Sequence, residues 1–173
     1  TIMIGGGDIY SDDHVTLSGD GARFDADTAY LGKNSQTIDY NIVADHFGKK
    51  TESLITVNGA LTDSAKKVFR GTIDFKKGSA DSVGSENETV LMLGDDVVNK
   101  TVPLILCAEE NVEGTHGATI GELDADTMFY FESRGIDRET AERIMAYAAV
   151  ERLIHMAEDG GVAACLLYTS DAA

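Results

Sequence analysis

The chain has 173 residues, of which 43% are hydrophobic and 25% charged, a composition typical of a soluble globular protein long enough to bury a core. Its formal net charge of −16 argues against nucleic acid or an anionic membrane as a partner. No apolar run reaches about 18 residues, so we expect no membrane-spanning helix. Two cysteines make no disulfide framework, which favours the cytoplasm. The sequence opens at Thr1 within an apolar run, and we expect the N-terminal part of the parent protein to be missing.

Residues 1–122 contain short apolar runs that alternate with turn residues, and they predict a β-rich core. The runs are Thr1–Ile4, Val15–Leu17, Ala22–Leu31, Thr37–Val43, Leu54–Val57, Val68–Phe75, Val90–Leu93, Thr101–Ala108 and Val112–Ile120. Turn signals at this spacing fit a β-sandwich, a β-barrel or a β-solenoid.

Two observations favour the solenoid among these three folds. Val68, Val90 and Val112 each open an apolar run at intervals of 22 residues, and a period of about 20–25 residues suits a coil of stacked strands. The hairpin dipeptide Asn-Gly occurs once, at Asn58-Gly59, which is few for a meander of this length. A solenoid needs covered ends, and the C-terminal helices are candidates for one cap.

Residues 123–158 have helical character. Asp124 or Asp126 is suited to cap a first helix, and Asp137 a second. Gly135 fits the left-handed stop between them. The tail, residues 159–173, has no clear period and receives no assignment.

The chemistry-bearing stretch is 107–121, which joins the β region to the helices. It places His116 between small residues, nine positions after Cys107, with carboxylates between and after them. Thiolate, imidazole and carboxylate together suit iron or zinc. The alternative for Cys107, which follows Leu-Ile-Leu, is a buried core residue at the end of a strand.

Two further features have a functional and a structural interpretation. Phe129, Tyr130 and Phe131 cannot all face one core from a single helix, so at least one is available to a partner, unless the helix is sandwiched between two surfaces. Asp45 and His46 are adjacent at the end of a strand-like run, where they either serve a site or hold each other at a turn.

Two motifs resemble the C-terminal signature of the SufB/SufD family of iron–sulfur cluster assembly scaffolds. They are H-G-A-T-I-G-E-L-D at 116–124 and F-Y-F-E-S-R-G-I at 129–136. Upstream residues follow the order of the same family, over about 37–150: Asp45, His46, Thr51, Ser53, Gly59, Leu61, Val68, Phe69, Gly71, Ile73, Asn87, and Leu91 to Leu93. Gly117, directly after the histidine, resembles the SufD branch.

The resemblance implies a right-handed parallel β-helix followed by a small helical region. It implies pairing with a SufB-type paralogue, or with a second copy, and docking of a SufC-type ABC ATPase on helices at 125–134 and 138–157. In that scheme His116 is a candidate ligand of a transient iron–sulfur cluster shared with the partner subunit, and the chain is not itself an enzyme. The residues expected at the partner surface are Phe129, Tyr130, Arg134 and Ile144.

The sequence also departs from the family pattern. Residues 86–89 occupy the stretch where a SufB-type cysteine is found, and Cys107 stands where the family is not reliably cysteine. Two other functions stay open at this point. One is a polysaccharide-active β-solenoid enzyme, which the absence of tryptophan disfavours. The other is an interaction module without metal.

Overall fold

The computed structural model describes residues 1–156 together with residues 161 and 164, and in this part nine strands precede two helices. The strands are β1 (Ile2–Ile4), β2 (Ile9–Leu17), β3 (Arg23–Gly32), β4 (Thr37–His46), β5 (Glu52–Thr62), β6 (Lys66–Phe75), β7 (Ser82–Leu93), β8 (Val98–Cys107) and β9 (Val112–Glu122). The helices are α1 (Ala125–Ser133) and α2 (Arg138–His155). Most of the predicted tail, with Cys165, lies outside the described residues.

The strands alternate between two parallel sheets, as the coils of a flattened solenoid must. The five-stranded sheet has the order β1-β3-β5-β7-β9, and the four-stranded sheet has the order β2-β4-β6-β8. Each strand pairs in parallel with the strand one coil earlier, as in the register partners Arg23↔Glu52 and Lys66↔Val98. The predicted parallel β-solenoid with C-terminal helices is therefore confirmed, whereas its right-handedness stays a prediction.

The 22-residue spacing that favoured this fold is not its repeat. Val68 lies in β6 of the four-stranded sheet and is paired with Lys100, whereas Val90 lies in β7 of the other sheet and is paired with Ile120. The observed partners are 27 to 32 residues apart, because one coil contains two strands and two turns. The fold prediction was right, but this argument for it was wrong.

Gly59 is not a turn residue, because Asn58-Gly59 lies inside β5. A Cβ at Gly59 would overlap the ring of Tyr30, which lies one coil away in β3. The glycine is thus required for close approach of an aromatic ring rather than for a left-handed backbone.

The main core fills the space between the two sheets, here called the lumen. Side chains alternate between the lumen and solvent along each strand, as the period of two requires. The largest buried apolar members are Tyr30, Ile38, Tyr40, Ile42, Ile55, Leu61, Phe69, Ile73 and Phe75.

At several turns, acidic side chains accept hydrogen bonds from the backbone of a neighbouring coil. Asp20 Oδ1 accepts from the backbone N–H of Lys49 at 2.9 Å, and Asp63 Oδ2 accepts from that of Asn34 at 2.8 Å. Glu109 Oε2 likewise accepts from the N–H of Gly78 at 2.9 Å, and this bond lowers the pKa of the Glu109 carboxyl. Part of the acidic excess therefore satisfies turn backbone that the sheets leave unpaired.

Both helices begin where the sequence predicts, and the first also ends at the predicted glycine. Asp124 Oδ1 accepts from Thr127 N–H at 2.7 Å, and Asp137 Oδ1 accepts from Thr140 N–H at 2.8 Å, so both aspartates are N-caps. Gly135 follows α1 with φ at +78°, the left-handed conformation that glycine adopts without strain.

Helix α2 lies across the outer face of the five-stranded sheet rather than over an end of the solenoid, so the capping interpretation was wrong. A second apolar cluster joins them, with Ala29, Leu31, Ala60 and Leu93 from the sheet and Ala146, Val150, Leu153 and Ile154 from the helix. Arg152 also pairs with Asp27 at 2.6 Å. Within the described part of the chain, neither helix is long and apolar enough to cross a bilayer.

Candidate functional site

His116 lies at the open edge of the solenoid. We use this name for the outer edges of β8 and β9, the final strands of the two sheets. His116 is exposed in β9, and its register partner in β7 is Glu86. No further strand covers this edge in the described residues, so the imidazole is accessible to solvent or to another chain.

The alternation of side chains along β7 and β9 decides whether His116 faces the lumen or the outer surface. Residues paired in a parallel ladder project to the same side of a sheet. In β7 the lumen-facing positions include Gly84, where a Cβ would touch Ile73 and Phe75, and Glu86. His116 therefore projects towards the mouth of the lumen, directly above Glu86.

Glu86 is a buried carboxyl with an unusual environment. Only 3% of it is exposed, and its carboxylate lies against Gly71 of β6, where a Cβ would overlap its oxygens. No hydrogen-bond donor reaches this carboxylate from the described residues. Burial, assisted by the negative charge of Glu88 and opposed by Lys67, raises the pKa of Glu86 to about 7.

A buried ion pair lies beside Glu86. Lys67 and Glu88 are 1% and 2% exposed, and the Lys67 ammonium donates to Glu88 Oε1. Thr101 Oγ1 donates to Glu88 Oε2 at 2.5 Å and lies 3.2 Å from Lys67 Nζ. Burial lowers the pKa of Lys67, and the charge of Glu88 partly offsets that effect.

Sequence reasoning missed this polar group in the lumen. The predicted apolar run begins only at Val90, and residues 86–89 receive no structural assignment, since charged residues are rarely buried without partners. The available signal for the burial of Glu86 and Glu88 was their spacing from the apolar Val90. Residues two apart in a strand share one face, so Glu86, Glu88 and Val90 lie on the same side of β7.

Cys107 and His116 are not brought together. Cys107 ends β8, and after a short turn β9 begins at Val112. His116 is four residues farther along β9, about 13 Å at the rise of an extended strand. Cys107 is exposed, so its interpretation as a buried core residue was wrong. The physical reason is that β8 is an edge strand, over which the described part of the chain places no further coil.

The three carboxylates between Cys107 and His116 in the sequence do not converge on His116. Glu113 faces outward from β9, and Glu109 and Glu110 lie in the preceding turn. Among residues 1–156, 161 and 164, no three His, Cys, Asp or Glu side chains are placed to hold one metal ion. His116 together with Glu86 could supply two ligands, so a metal bound here needs further ligands from water or from another chain.

His46 is a core residue rather than part of a site. It is fully buried, with Nδ1 at 2.7 Å from Thr51 Oγ1 and Nε2 at 2.9 Å from Ser53 Oγ. The expected Asp45–His46 contact is not the one formed, because adjacent strand residues face opposite sides. Asp45 instead contacts His14 Nε2 at 2.6 Å on the outer face.

We expect His46 to make the protein less stable as the pH falls below about 6.5. Burial lowers its pKa, so the unfolded state binds more protons below the ordinary value of 6.5. The loss approaches about 1.4 kcal/mol for each pH unit. Urea unfolding of the wild type and His46→Gln at pH 7.5 and 5.5 measures it, with the exposed His155→Gln as control. An equal pH response in the wild type and His46→Gln would contradict the assignment.

The helical region presents an aromatic surface. Phe129 and Tyr130 are 72% and 55% exposed, whereas Met128 packs inside, so the prediction that at least one aromatic faces solvent is confirmed. The Arg134 guanidinium lies 5.0 Å from the centre of the Tyr130 ring, and Ile144 of α2 is also exposed. The four residues predicted for a partner surface are thus all exposed: Phe129, Tyr130, Arg134 and Ile144.

Comparison with known proteins identifies the family of this chain. The family model described as "SUF system FeS cluster assembly, SufBD core domain" matches residues 1–149. The chain belongs to the SufB/SufD family. Within this family it is SufD-like, being 31% identical over 153 residues, or 88% of its length, to the iron–sulfur cluster assembly protein SufD of Bacillus subtilis.

More distant relatives carry related names. The SufD protein of Escherichia coli is 22% identical over 162 residues, or 94% of the chain. The chloroplastic SufBD family protein ABCI8 of Arabidopsis thaliana is 27% identical over 127 residues, or 73% of the chain. The chain spans 35%, 38% and 23% of the lengths of these three relatives. All three relatives are named as iron–sulfur cluster assembly proteins.

Proposed function

We propose that this SufD-like chain is a non-catalytic, cytoplasmic scaffold that pairs with a SufB-type paralogue and presents His116 to a nascent iron–sulfur cluster. The observation that carries the proposal is the exposure of His116 at an unpaired sheet edge. An exposed edge offers free backbone N–H and C=O groups to a strand of another chain. A histidine beside that edge is then able to share a cluster with ligands from the partner.

The apolar side chains of β8 support pairing at the open edge. Val102, Leu104 and Leu106 alternate along the strand and are all between 42% and 51% exposed. Their register partners on β6 are Arg70, Thr72 and Asp74, so the apolar character is confined to the edge strand. Exposed apolar residues beside free backbone groups favour a protein partner over solvent.

A second partner fits the helical region, and we assign it to a SufC-type ABC ATPase. Phe129 and Tyr130 form an exposed aromatic pair next to Arg134, and aromatic and arginine residues are the types enriched at interface centres. This surface is on different elements from the open edge. The two partners are therefore able to bind without competing for the same residues.

His116→Ala is expected to lower the yield of cluster on the reconstituted complex by about tenfold or more, because a ligand from this chain is lost. The complex contains this chain, a SufB-type paralogue and a SufC-type ATPase. It is supplied with iron and sulfide without oxygen, and the cluster is read by visible absorption. Unchanged yield would remove the ligand role of His116.

Two matched variants separate the two surfaces in the same assay. His14→Ala alters an exposed histidine on β2, away from the helices and the open edge, and should leave the yield unchanged. The double variant Phe129→Ala/Tyr130→Ala should lose co-purification of the ATPase while still pairing with the paralogue. Retention of the ATPase by the double variant would contradict the docking assignment.

A further inference from the structure

We propose that Glu86 and His116 together bind a ferrous ion at the mouth of the lumen, with Glu86 as the ligand on the inner side. This inference rests on the proposed function for the choice of iron. The two residues are register partners in the β7–β9 ladder, so their Cα atoms lie about 4.8 Å apart and their side chains project the same way. One ion placed between the carboxylate and the imidazole would contact both residues of a single chain.

Glu86 lacks the partner that a buried carboxylate requires. Transfer of a charge into a protein interior is costly unless an opposite charge or hydrogen-bond donors compensate it. Within the described residues no donor bonds to Glu86, and the nearby Lys67 ammonium is bonded to Glu88 and adjacent to Thr101. A cation at the lumen mouth would supply the missing charge.

The residues around the Glu86 carboxylate are small, both on the facing sheet and on the open side. Gly71 on the facing sheet makes space for the Glu86 carboxylate, since any side chain there would displace it. Above Glu86 in the next coil, the lumen-facing positions beside His116 are Gly114 and Ala118, which are both small and exposed. The carboxylate is thus buried within the chain but lies only one coil below the open edge.

The donor set suits a ferrous ion held for transfer. Imidazole and carboxylate are the protein ligands of non-haem Fe²⁺ sites that keep open positions. Two protein ligands leave the other positions to water, sulfide or a residue of the paired subunit. Such a site binds less firmly than a closed set of four protein ligands, which is suitable for a metal that must be passed on.

Binding of Co²⁺ to the whole chain tests the assignment, with visible absorption and calorimetry as readouts. One Co²⁺ per chain is expected, and Glu86→Gln and His116→Ala should each weaken binding by about tenfold or more. Glu86→Gln keeps the size of the side chain and removes its charge. Glu113→Gln is the matched control, because Glu113 is exposed on the outer face of β9 and should leave the affinity unchanged. Equal affinity of the wild type and Glu86→Gln would overturn the site.

Pairing with the SufB-type paralogue is measured on the same preparations by gel filtration. If the wild type fails to pair but Glu86→Gln still weakens Co²⁺ binding, the proposed function is overturned and the metal site stands. If the wild type pairs but Glu86→Gln binds Co²⁺ as tightly, only the Glu86 assignment is overturned.

Discussion

Lys67→Met is expected to lower the free energy of unfolding by about 3–5 kcal/mol, because it leaves Glu88 buried without its counter-charge. Both side chains are almost fully buried, and the ammonium donates directly to the carboxylate. Methionine fills much of the space of the lysine stem, so the loss reports the unpaired charge rather than a cavity. Urea unfolding, followed by circular dichroism, measures the difference.

The double variant Lys67→Met/Glu88→Leu should recover most of the lost stability. Replacing both members of a buried ion pair by apolar residues is often neutral, because the desolvation cost of the two charges disappears with their attraction. Lys66→Met, at the adjacent exposed lysine, is the control for the change of residue type. A double variant no more stable than Lys67→Met would show that the unpaired charge is not the cause.

Glu86→Gln is expected to stabilise the protein, and increasingly so as the pH rises from about 4.5 to 7. The pKa of the Glu86 carboxyl is raised in the folded state. Such a carboxyl contributes fully to stability below its unfolded pKa, and this contribution is lost as the pH rises through its folded pKa. Glutamine stays neutral throughout. The gain should therefore grow from near zero at pH 4 to roughly 3 kcal/mol at pH 8.

Paired urea titrations of the wild type and Glu86→Gln at five pH values, with EDTA present, measure this gain. EDTA removes any metal that would stabilise the wild-type carboxylate. The contribution of His46 is common to both proteins and cancels in the difference. Glu113→Gln, at an exposed carboxylate, should show no such trend. A gain that is independent of pH would exclude burial of the ionised Glu86 as its origin.

Local chemistry accounts for the parts of the fold that the sequence predicts well. The N-caps Asp124 and Asp137 and the stop at Gly135 depend on neighbouring backbone alone, and all three are correct. Every predicted apolar run overlaps a single observed strand and extends at most one residue beyond it, although β2, β5 and β7 are much longer than predicted. Most of their extra residues are polar or small, and the place of these residues in the ladder depends on the adjacent coil.

The candidate site was predictable only in its exposed half. His116 can be recognised from the sequence, because it belongs to a family motif and its neighbours are small. Glu86 does not, since its burial depends on the space left by Gly71, 15 positions earlier in the chain and on the other sheet. The same holds for Cys107, whose exposure follows from the position of β8 at a sheet edge rather than from its apolar neighbours.

The nearly constant coil length sets the entropy cost of adding each coil during folding. Because every strand pairs with one 27 to 32 residues earlier, the entropy of closing each loop is nearly constant, and adding coils does not raise it. Such an array would tend to unfold coil by coil, since each repeat contacts only its neighbours. Helix α2 is the exception, because it contacts β3, β5 and β7 at once. It thereby couples three coils into one cooperative unit.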